Sequence, residues 1–388
     1  TDPVAFADLG GRQQSWPGDR RDFIGRNGSL SSPAAVVSGA PLSGRLGAAL
    51  DPCAALEATI ELAPGRSEEI VLLTGDADSA SQASDLVARY RSADLDTVLA
   101  EAREFWREFL SAVEIKTPDR SFDLMMNGRL LYQTLACRMW ARSGLYQASG
   151  AFGFRDQLQD VMAIAAFKPE IARAHIIAAA ARQFPEGDVQ HWWLPETGQG
   201  VRTRISDDRL WLAHASVHFL NATGDCALLD EANPFLEGPA LAPGQPEAFF
   251  SPKTSSGTAS LYEHCARALD ASLAVGSHGL PLIGGGDWND GFNRVGLAGA
   301  GESVWLGWFL YAALDQFAPI AEARGDAARA ARWRAHACAL SAALEQEAWD
   351  GDWYKRGWFD DGAPLGSAAS EECRIDAIAQ SWAVLSGA

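Results

Sequence analysis

Hydrophobic and polar positions change their period near residue 79. Before it, apolar residues alternate over short runs, as in ATIEL (58–62) and EIVLLTG (69–75), with a Pro-Gly pair between them. That alternation predicts two short strands joined by a turn. The preceding stretch, including RRDFIGRNGS, is rich in Gly, Pro, Ser and Arg and reads as loop. After Ser79 the apolar spacing becomes helical, in ASDLVARYR (83–91) and in DLDTVLAEAREFWREFLSAV (94–113), which stops before the polar break KTPDR.

From Ser121 onward helix follows helix. SFDLMMNGRLLYQTLACRMWARSG is a long amphipathic helix ended by Gly144, followed by patterns at 156–167, 170–184, 207–224, 260–276, 302–325, 326–349 and 374–387. Helix pairs alternating with long loops rich in Gly, Trp, Asp and Arg describe an (α/α) toroid better than a four-helix bundle. The expected fold is mainly α with an N-terminal β part: a partial β-sandwich over 1–80, a helical linker over 81–120, and an (α/α) barrel over 121–388. About eight barrel helices are counted where a six-hairpin toroid has twelve, so the barrel is expected to be truncated at its C-terminal side and marginally soluble alone.

Composition narrows the function. A formal net charge of −18 disfavours nucleic acid and anionic membranes as partners. No apolar run approaches the roughly 18 residues of a membrane helix. The six cysteines are scattered without CxxC or CxxxH spacing, so free thiols are expected, with no disulfide framework and no metal site. Fourteen tryptophans are an excess for this length. Tryptophan beside polar loops suits sugar rings, whose C–H faces pack on aromatic faces.

Four loops combine charge, aromatic residues and glycine. The first, SGAFGFRDQLQD (149–160), carries Arg155 and Asp156 at a helix start, where Asp156 is either an N-cap or half of an Arg–Asp pair facing a cavity. The second, 187–208, holds Trp192, Trp193, Arg202, Arg204, Asp207 and Asp208, a set suited to a polyhydroxylated ligand. His191 in this loop has no second histidine at metal spacing and reads as a structural hydrogen-bonding residue. The third, GGGDWNDGFN (284–293), has no Lys for a phosphate loop, and its fifth position from Asp287 is Gly291, which excludes an EF-hand. It is a plain turn, or it presents Asp290 as a glycosidase-like acid with Trp288 lining the sugar subsite. In the second case burial and nearby carboxylates are expected to raise the proton affinity of Asp290. The fourth, GESVW (301–305), puts Glu302 at a helix start.

Together GFRDQLQD, HGLPLIGGGDWNDGFNRVG and GESVWLGWFL resemble glycoside hydrolase family 94, the inverting phosphorylases that include cellobiose and chitobiose phosphorylases. Within that family, CRMWARSGLYQASGAFGFRDQLQD, GDVQHWWLPETGQGVRTRISDD and ECRIDAIAQSWAVLSGA are most similar to the phosphorylase-like region of cyclic β-1,2-glucan synthases. The resemblance implies the same three-part fold. It makes Asp290 the general acid and gives Trp288, Arg155 and Asp156 the subsite of the transferred sugar. Phosphate then serves as co-substrate, with no cofactor, and α-glucose 1-phosphate is released from a β-linked glucan. It also implies a cytoplasmic segment of a larger synthase, with any inner-membrane anchor in other domains.

Two departures matter. Leu194 stands where the related loop has histidine, and the family's phosphate-binding His and Thr come from positions past Ala388, leaving Arg202 and Arg204 as local candidates. A glucan-binding module without turnover, or an inverting hydrolase using Glu302 or Asp207 as base, are the alternatives.

Overall fold

In the computed structural model, which describes residues 3–141 and 150–388, the change of period near residue 79 is a change from sheet to helix. Gly144, the expected helix stop, and Ser149 of the first loop lie outside the described residues. Two units separate, Thr1–Glu108 and Phe109–Ala388, with the boundary inside a helix.

In the first unit, strand β1 (Val4–Asp8) pairs antiparallel with β2 (Leu73–Ala77), from Val4 opposite Ala77 to Asp8 opposite Leu73. The expected strand ATIEL is absent. Ala58 and Ile60 are only partly buried, residues 61–70 are exposed, and no strand among the described residues pairs with them, so the alternating pattern has no ladder to join. The turn between the two runs does form, with Arg66 N–H on Ala63 O at 3.0 Å. RRDFI, read as loop, is a short helix capped by Asp19.

Helix α1 (Ala80–Ser92), capped by Ser79, brings Arg91 onto the buried end of β1. Arg91 Nε donates to Asp8 Oδ2 at 2.9 Å, and Gln13 Nε2 to Asp8 Oδ1 at 2.9 Å. Helix α2 (Leu95–Leu110) follows.

The second unit starts with a helix over 120–140 in which π turns, Met125–Arg129 and Thr134–Trp140, interrupt the α turns. The helices α3 (Phe154–Ile164), α4 (Pro169–Ala180), α5 (Asp208–Thr223), α6 (Leu261–Asp270), α7 (Val304–Ala323), α8 (Ala327–Ala343) and α9 (Ala377–Leu385) fall where the periodicity put them. Helix α5 packs against α3, α4, α6 and α7, which is why much of it is buried, polar Asp208 and Ser216 included. Helix α7 packs on α8 and α9, and Val304 and Trp308 join Leu280, Leu344 and Trp358 in the core. The helices pair around α5 and α7, and no closed ring of hairpins is seen among the described residues.

The loops between the helices carry strands that helical periodicity did not announce. β3 (Phe152–Gly153), β4 (Gln190–Trp193) and β5 (Gly200–Thr203) lie side by side. After β6 (Ala232–Glu237), strand β7 (Glu247–Phe250) completes this sheet in the order β3-β4-β5-β7, while β6 pairs with β8 (Lys253–Ser260). A small sheet of β9 (Glu302–Ser303), β10 (Gly357–Trp358) and β11 (Pro364–Leu365) has β10 at its centre. Among the described residues no helix is long and apolar enough to cross a membrane.

The hydrogen bond from Arg91 outweighs burial and holds the Asp8 carboxyl at about 2, below its usual range. A depressed carboxylate stabilises the fold above its unfolded pKa of about 3.9, and that contribution is lost as pH falls through the folded value. The difference in melting temperature between wild type and Asp8→Asn should therefore be full near neutral pH and shrink from about pH 4 to about pH 2. A difference independent of pH over that range would contradict this role for the pair.

Candidate active site

Three chain segments converge on the glycine run of 284–293. The turn before α5 runs alongside it: Ile205 bridges Gly284, Gly285 N–H donates to Arg204 O at 2.9 Å, and Ser206 N–H and Oγ–H both donate to Gly286 O at 3.0 Å. A side chain at Gly284 would put its Cβ 2.2 Å from Arg204 O, and Gly284 and Gly286 have φ of +61° and +143°. The glycines therefore let two backbones touch and then turn the chain outward. Beyond them, Asn289 N–H bonds Asp287 Oδ1 at 3.1 Å and Asn289 caps the short turn Asp290–Phe292.

Pairing of β3 with β4 sets the start of α3, with Gly153 opposite Trp192. Arg155 thus lies inside the first helical turn and is buried, and Gly153 rather than Asp156 occupies the N-cap position. Its guanidinium is shared three ways. Nη1 donates to Asp207 Oδ1 at 3.1 Å and to Asp287 O at 2.9 Å, and Nη2 to Asp290 Oδ1 at 2.5 Å. Asp207, at the N-cap position of α5, makes no capping bond and instead also accepts from Trp211 Nε1 at 3.0 Å. His191 approaches the same acid from β4. Its Nδ1–H donates to Asp208 Oδ2 at 2.7 Å while Nε2 lies 3.7 Å from Asp290 Oδ2.

The charges decide the protonation states. Burial opposes charge on Arg155, but Asp207, Asp208 and Asp290 outweigh it and hold the guanidinium firmly protonated. Burial likewise opposes charge on His191, yet Asp208 and Asp290 push it up to about 10. Burial dominates at Asp207 and raises its carboxyl despite Arg155. At Asp290 burial would also raise the carboxyl, but His191 and Arg155 together lower it below its usual range. The expected upward shift at Asp290 is thus reversed. About half of its side chain (51%) is exposed, so desolvation is incomplete, and two cations adjoin it.

Asp290 and His191 border a cavity of about 1190 Å³, along with Trp192, Arg204, Ser206 and Arg209. Trp192 packs on Phe249 at its wall, and Trp288, two residues before Asp290 in sequence, is about half exposed and does not line the cavity. The other sequence candidates are engaged elsewhere. Trp193 is buried against Phe152 and beneath Arg182. Arg202, although beside the cavity, is held by Asp188, Glu186 and the Pro239 carbonyl, with its guanidinium over the Phe184 ring. Arg204 clasps the carbonyls of Gln245 and Ala242 at 2.9 and 2.8 Å. Asp156 is half exposed, 3.9 Å from Arg138. Glu302 is buried and accepts from His278 Nδ1 at 2.5 Å and from the His278 and Leu280 N–H groups.

Sequence reasoning missed the support behind the loop. Buried Arg356 donates Nη2 to Asp287 Oδ1 at 2.6 Å, Nη1 to Ser303 Oγ at 3.1 Å and Nε to Asp376 Oδ2 at 3.1 Å. Ser303 Oγ–H closes the network on Asp287 Oδ2 at 2.6 Å. Its segment, DGDWYKRGWFDDG (350–362), is simply aromatic and acidic, and nothing local marks the arginine in it as the partner of an aspartate 69 positions away.

Residues 105–388 match the catalytic domain of the glycosyl hydrolase 94 superfamily, and residues 1–93 match the glycosyl hydrolase 94 supersandwich domain. The chain belongs to this family of carbohydrate-active enzymes. It is 52% identical over 384 residues to the cyclic beta-(1,2)-glucan synthase NdvB of Rhizobium meliloti (strain 1021), covering 99% of this chain and 14% of that protein. It is 33% identical to the solabiose phosphorylase of Paenibacillus borealis, over 95% of this chain and 44% of the relative. With the N,N'-diacetylchitobiose phosphorylase of Vibrio furnissii the identity is 27%, over 96% and 48%. The chain spans about half the length of these phosphorylases or less, and a much smaller share of the synthase.

Breaking the Arg356–Asp287 pair from one side leaves an uncompensated buried charge, which costs about 3–5 kcal/mol. Arg356→Met should lower the unfolding free energy by that amount in denaturant titration, and Arg356→Lys by less. A loss below about 1 kcal/mol for Arg356→Met would show that the network carries little of the stability.

Proposed function

We propose that this chain carries the acid of an inverting glycoside phosphorylase acting on β-linked glucan, β-1,2-glucan in particular, and releases α-glucose 1-phosphate. The observation that carries the reading is Asp290, half exposed on the cavity wall and oriented by Arg155. In this mechanism Asp290 protonates the glycosidic oxygen while phosphate attacks the anomeric carbon from the opposite face. An anionic nucleophile needs no protein base. Phosphate also answers the charge problem at Asp290, because its negative charge opposes the two neighbouring cations and raises the affinity of the carboxyl for a proton. Trp288 and Trp192 supply aromatic faces for sugar rings and Asp156 a hydroxyl acceptor, while Asp208, buried and bonded to His191, is not placed to meet the sugar. The names of the relatives support both the phosphorylase chemistry and the β-1,2-glucan substrate.

Hydrolysis needs a second carboxylate roughly 6.5–9.5 Å from the acid to activate water. Both sequence candidates for that base are engaged, Asp207 by Arg155 and Trp211 and Glu302 by His278, which favours phosphorolysis. We further infer a sandwich part over 1–80, a linker over 81–120 and an (α/α) six-hairpin toroid to which the helices of 121–388 belong. In this reading the chain works in the cytoplasm among the other domains of a glucan synthase, where it controls chain length. Its six unpaired cysteines are in keeping with a reducing compartment.

The test is release of glucose 1-phosphate from β-1,2-glucooligosaccharides and cellobiose, with and without phosphate. Asp290→Asn should lower phosphate-dependent release about 10²- to 10⁴-fold while glucan binding survives. Unchanged release in the variant would remove Asp290 from the mechanism, and product formed equally without phosphate would favour the hydrolase.

A further inference from the structure

His191 adjoins Asp290 and has no part in the step proposed above. Its position is built from both sides. Strand β4 carries it, with its neighbour Trp192 opposite Gly153 of β3, so the ring borders the same cavity as Asp290. Asp208, the first residue of α5, fixes Nδ1 at 2.7 Å. That leaves Nε2–H directed to the cavity side, 3.7 Å from Asp290 Oδ2, too long for a hydrogen bond and close enough for a strong charge contact. The adjacent aspartates 207 and 208 therefore each back a different cation, Arg155 and His191, and the two cations flank one carboxylate.

We propose that His191, seated on Asp208, is a positioning residue that keeps Asp290 ionised in the empty site, so that the site meets a glycosyl acceptor with a carboxylate ready to take the proton of its hydroxyl. The inference rests on the proposed role of Asp290 and extends it to glucosyl transfer from a sugar 1-phosphate. In that step the bond between the anomeric carbon and the phosphate oxygen breaks and phosphate leaves with the electron pair. The acceptor oxygen bonds the anomeric carbon, and the acceptor proton passes to Asp290. The groups around the pair agree with this division. Asp207 and Asp208 face it from α5, Arg155 from α3 and Asp287 from the glycine loop, while Arg209 beside them donates to the Ala271 carbonyl. Burial alone would favour the neutral acid, and the cations reverse it.

The experiment compares the pH dependence of kcat/KM in both directions for wild type, His191→Gln, Asp208→Asn and Asp290→Asn. Loss of the imidazolium should raise the proton affinity of Asp290. The acid limb of transfer then moves to higher pH by about one unit, a tenfold loss of rate below the limb, and the basic limb of phosphorolysis moves up with it. Asp208→Asn, which removes the group holding His191 charged, should move both limbs the same way and stands in if the glutamine variant does not fold. A merely structural His191 would scale the rates and leave the limbs in place, and that outcome overturns the proposal. Limbs moving to lower pH would overturn it too. Retained turnover in Asp290→Asn would instead defeat the assignment of the acid. Independently of turnover, the Asp290 carboxyl resonance in carbon-13 NMR, identified by its absence in Asp290→Asn, should titrate at higher pH in His191→Gln than in wild type. Coincident titrations would overturn the inference whatever the kinetics.

Discussion

A guanidinium buried away from water must find its partners within the protein or destabilise it by several kcal/mol. Arg155 meets that requirement with three partners on two segments, Asp207 at the start of α5 and, in the glycine loop, the carbonyl of Asp287 and the carboxylate of Asp290. The site is assembled around this demand. Arg356 imposes the same demand from the other side, through Asp287, Ser303 and Asp376. Asp287 is therefore held by its side chain on one arginine and by its carbonyl on another, and the glycines before it allow the close backbone approach this needs. The residue three positions later, Asp290, is presented to the cavity on a turn with little freedom of its own.

The same pairing of charges runs through the site of a chain whose net charge is −18. Three cations at the site are each matched by an acid, Arg155 by Asp207, His191 by Asp208 and Arg202 by Asp188, while Arg204 and Arg209 bind backbone carbonyls. A wall of paired charges and aromatic faces suits a neutral polyhydroxylated ligand, which exchanges hydrogen bonds without disturbing the balance. An anion such as phosphate does disturb it. In the proposed mechanism that disturbance moves the proton onto Asp290.

Helical order was legible because burial of one face repeats along the chain, as in α3 and α6, and even the all-round apolar α7 was long enough to read. The second unit is therefore well anticipated, while the first is less so. ATIEL alternates correctly, but a strand exists only where another strand pairs with it, and here β1, three residues from the chain start, pairs with Leu73–Ala77 instead. At the site, the spacing of GGGDWND and FRD marked Arg155 and Asp290, which the fold brings together. It could not separate Trp192 at the cavity from Trp193 in the core, since adjacent residues on a strand face opposite sides. Tryptophan excess proved a mixed signal, because Trp305, Trp308 and Trp333 are core. His191, Arg356 and Asp376 act through partners distant in sequence, and Glu302 was drawn into a pair with His278 that no local pattern announces.

The central claim is that Asp290 and phosphate together invert a glucosidic centre without a second protein carboxylate. Proton NMR of the first product formed from a β-1,2-glucooligosaccharide in phosphate tests it most directly. The anomeric signal of α-glucose 1-phosphate is expected to grow in step with the oligosaccharide shortened by one residue, and only where phosphate is present. Free glucose as the first product, formed at the same rate whether or not phosphate is present, would contradict it.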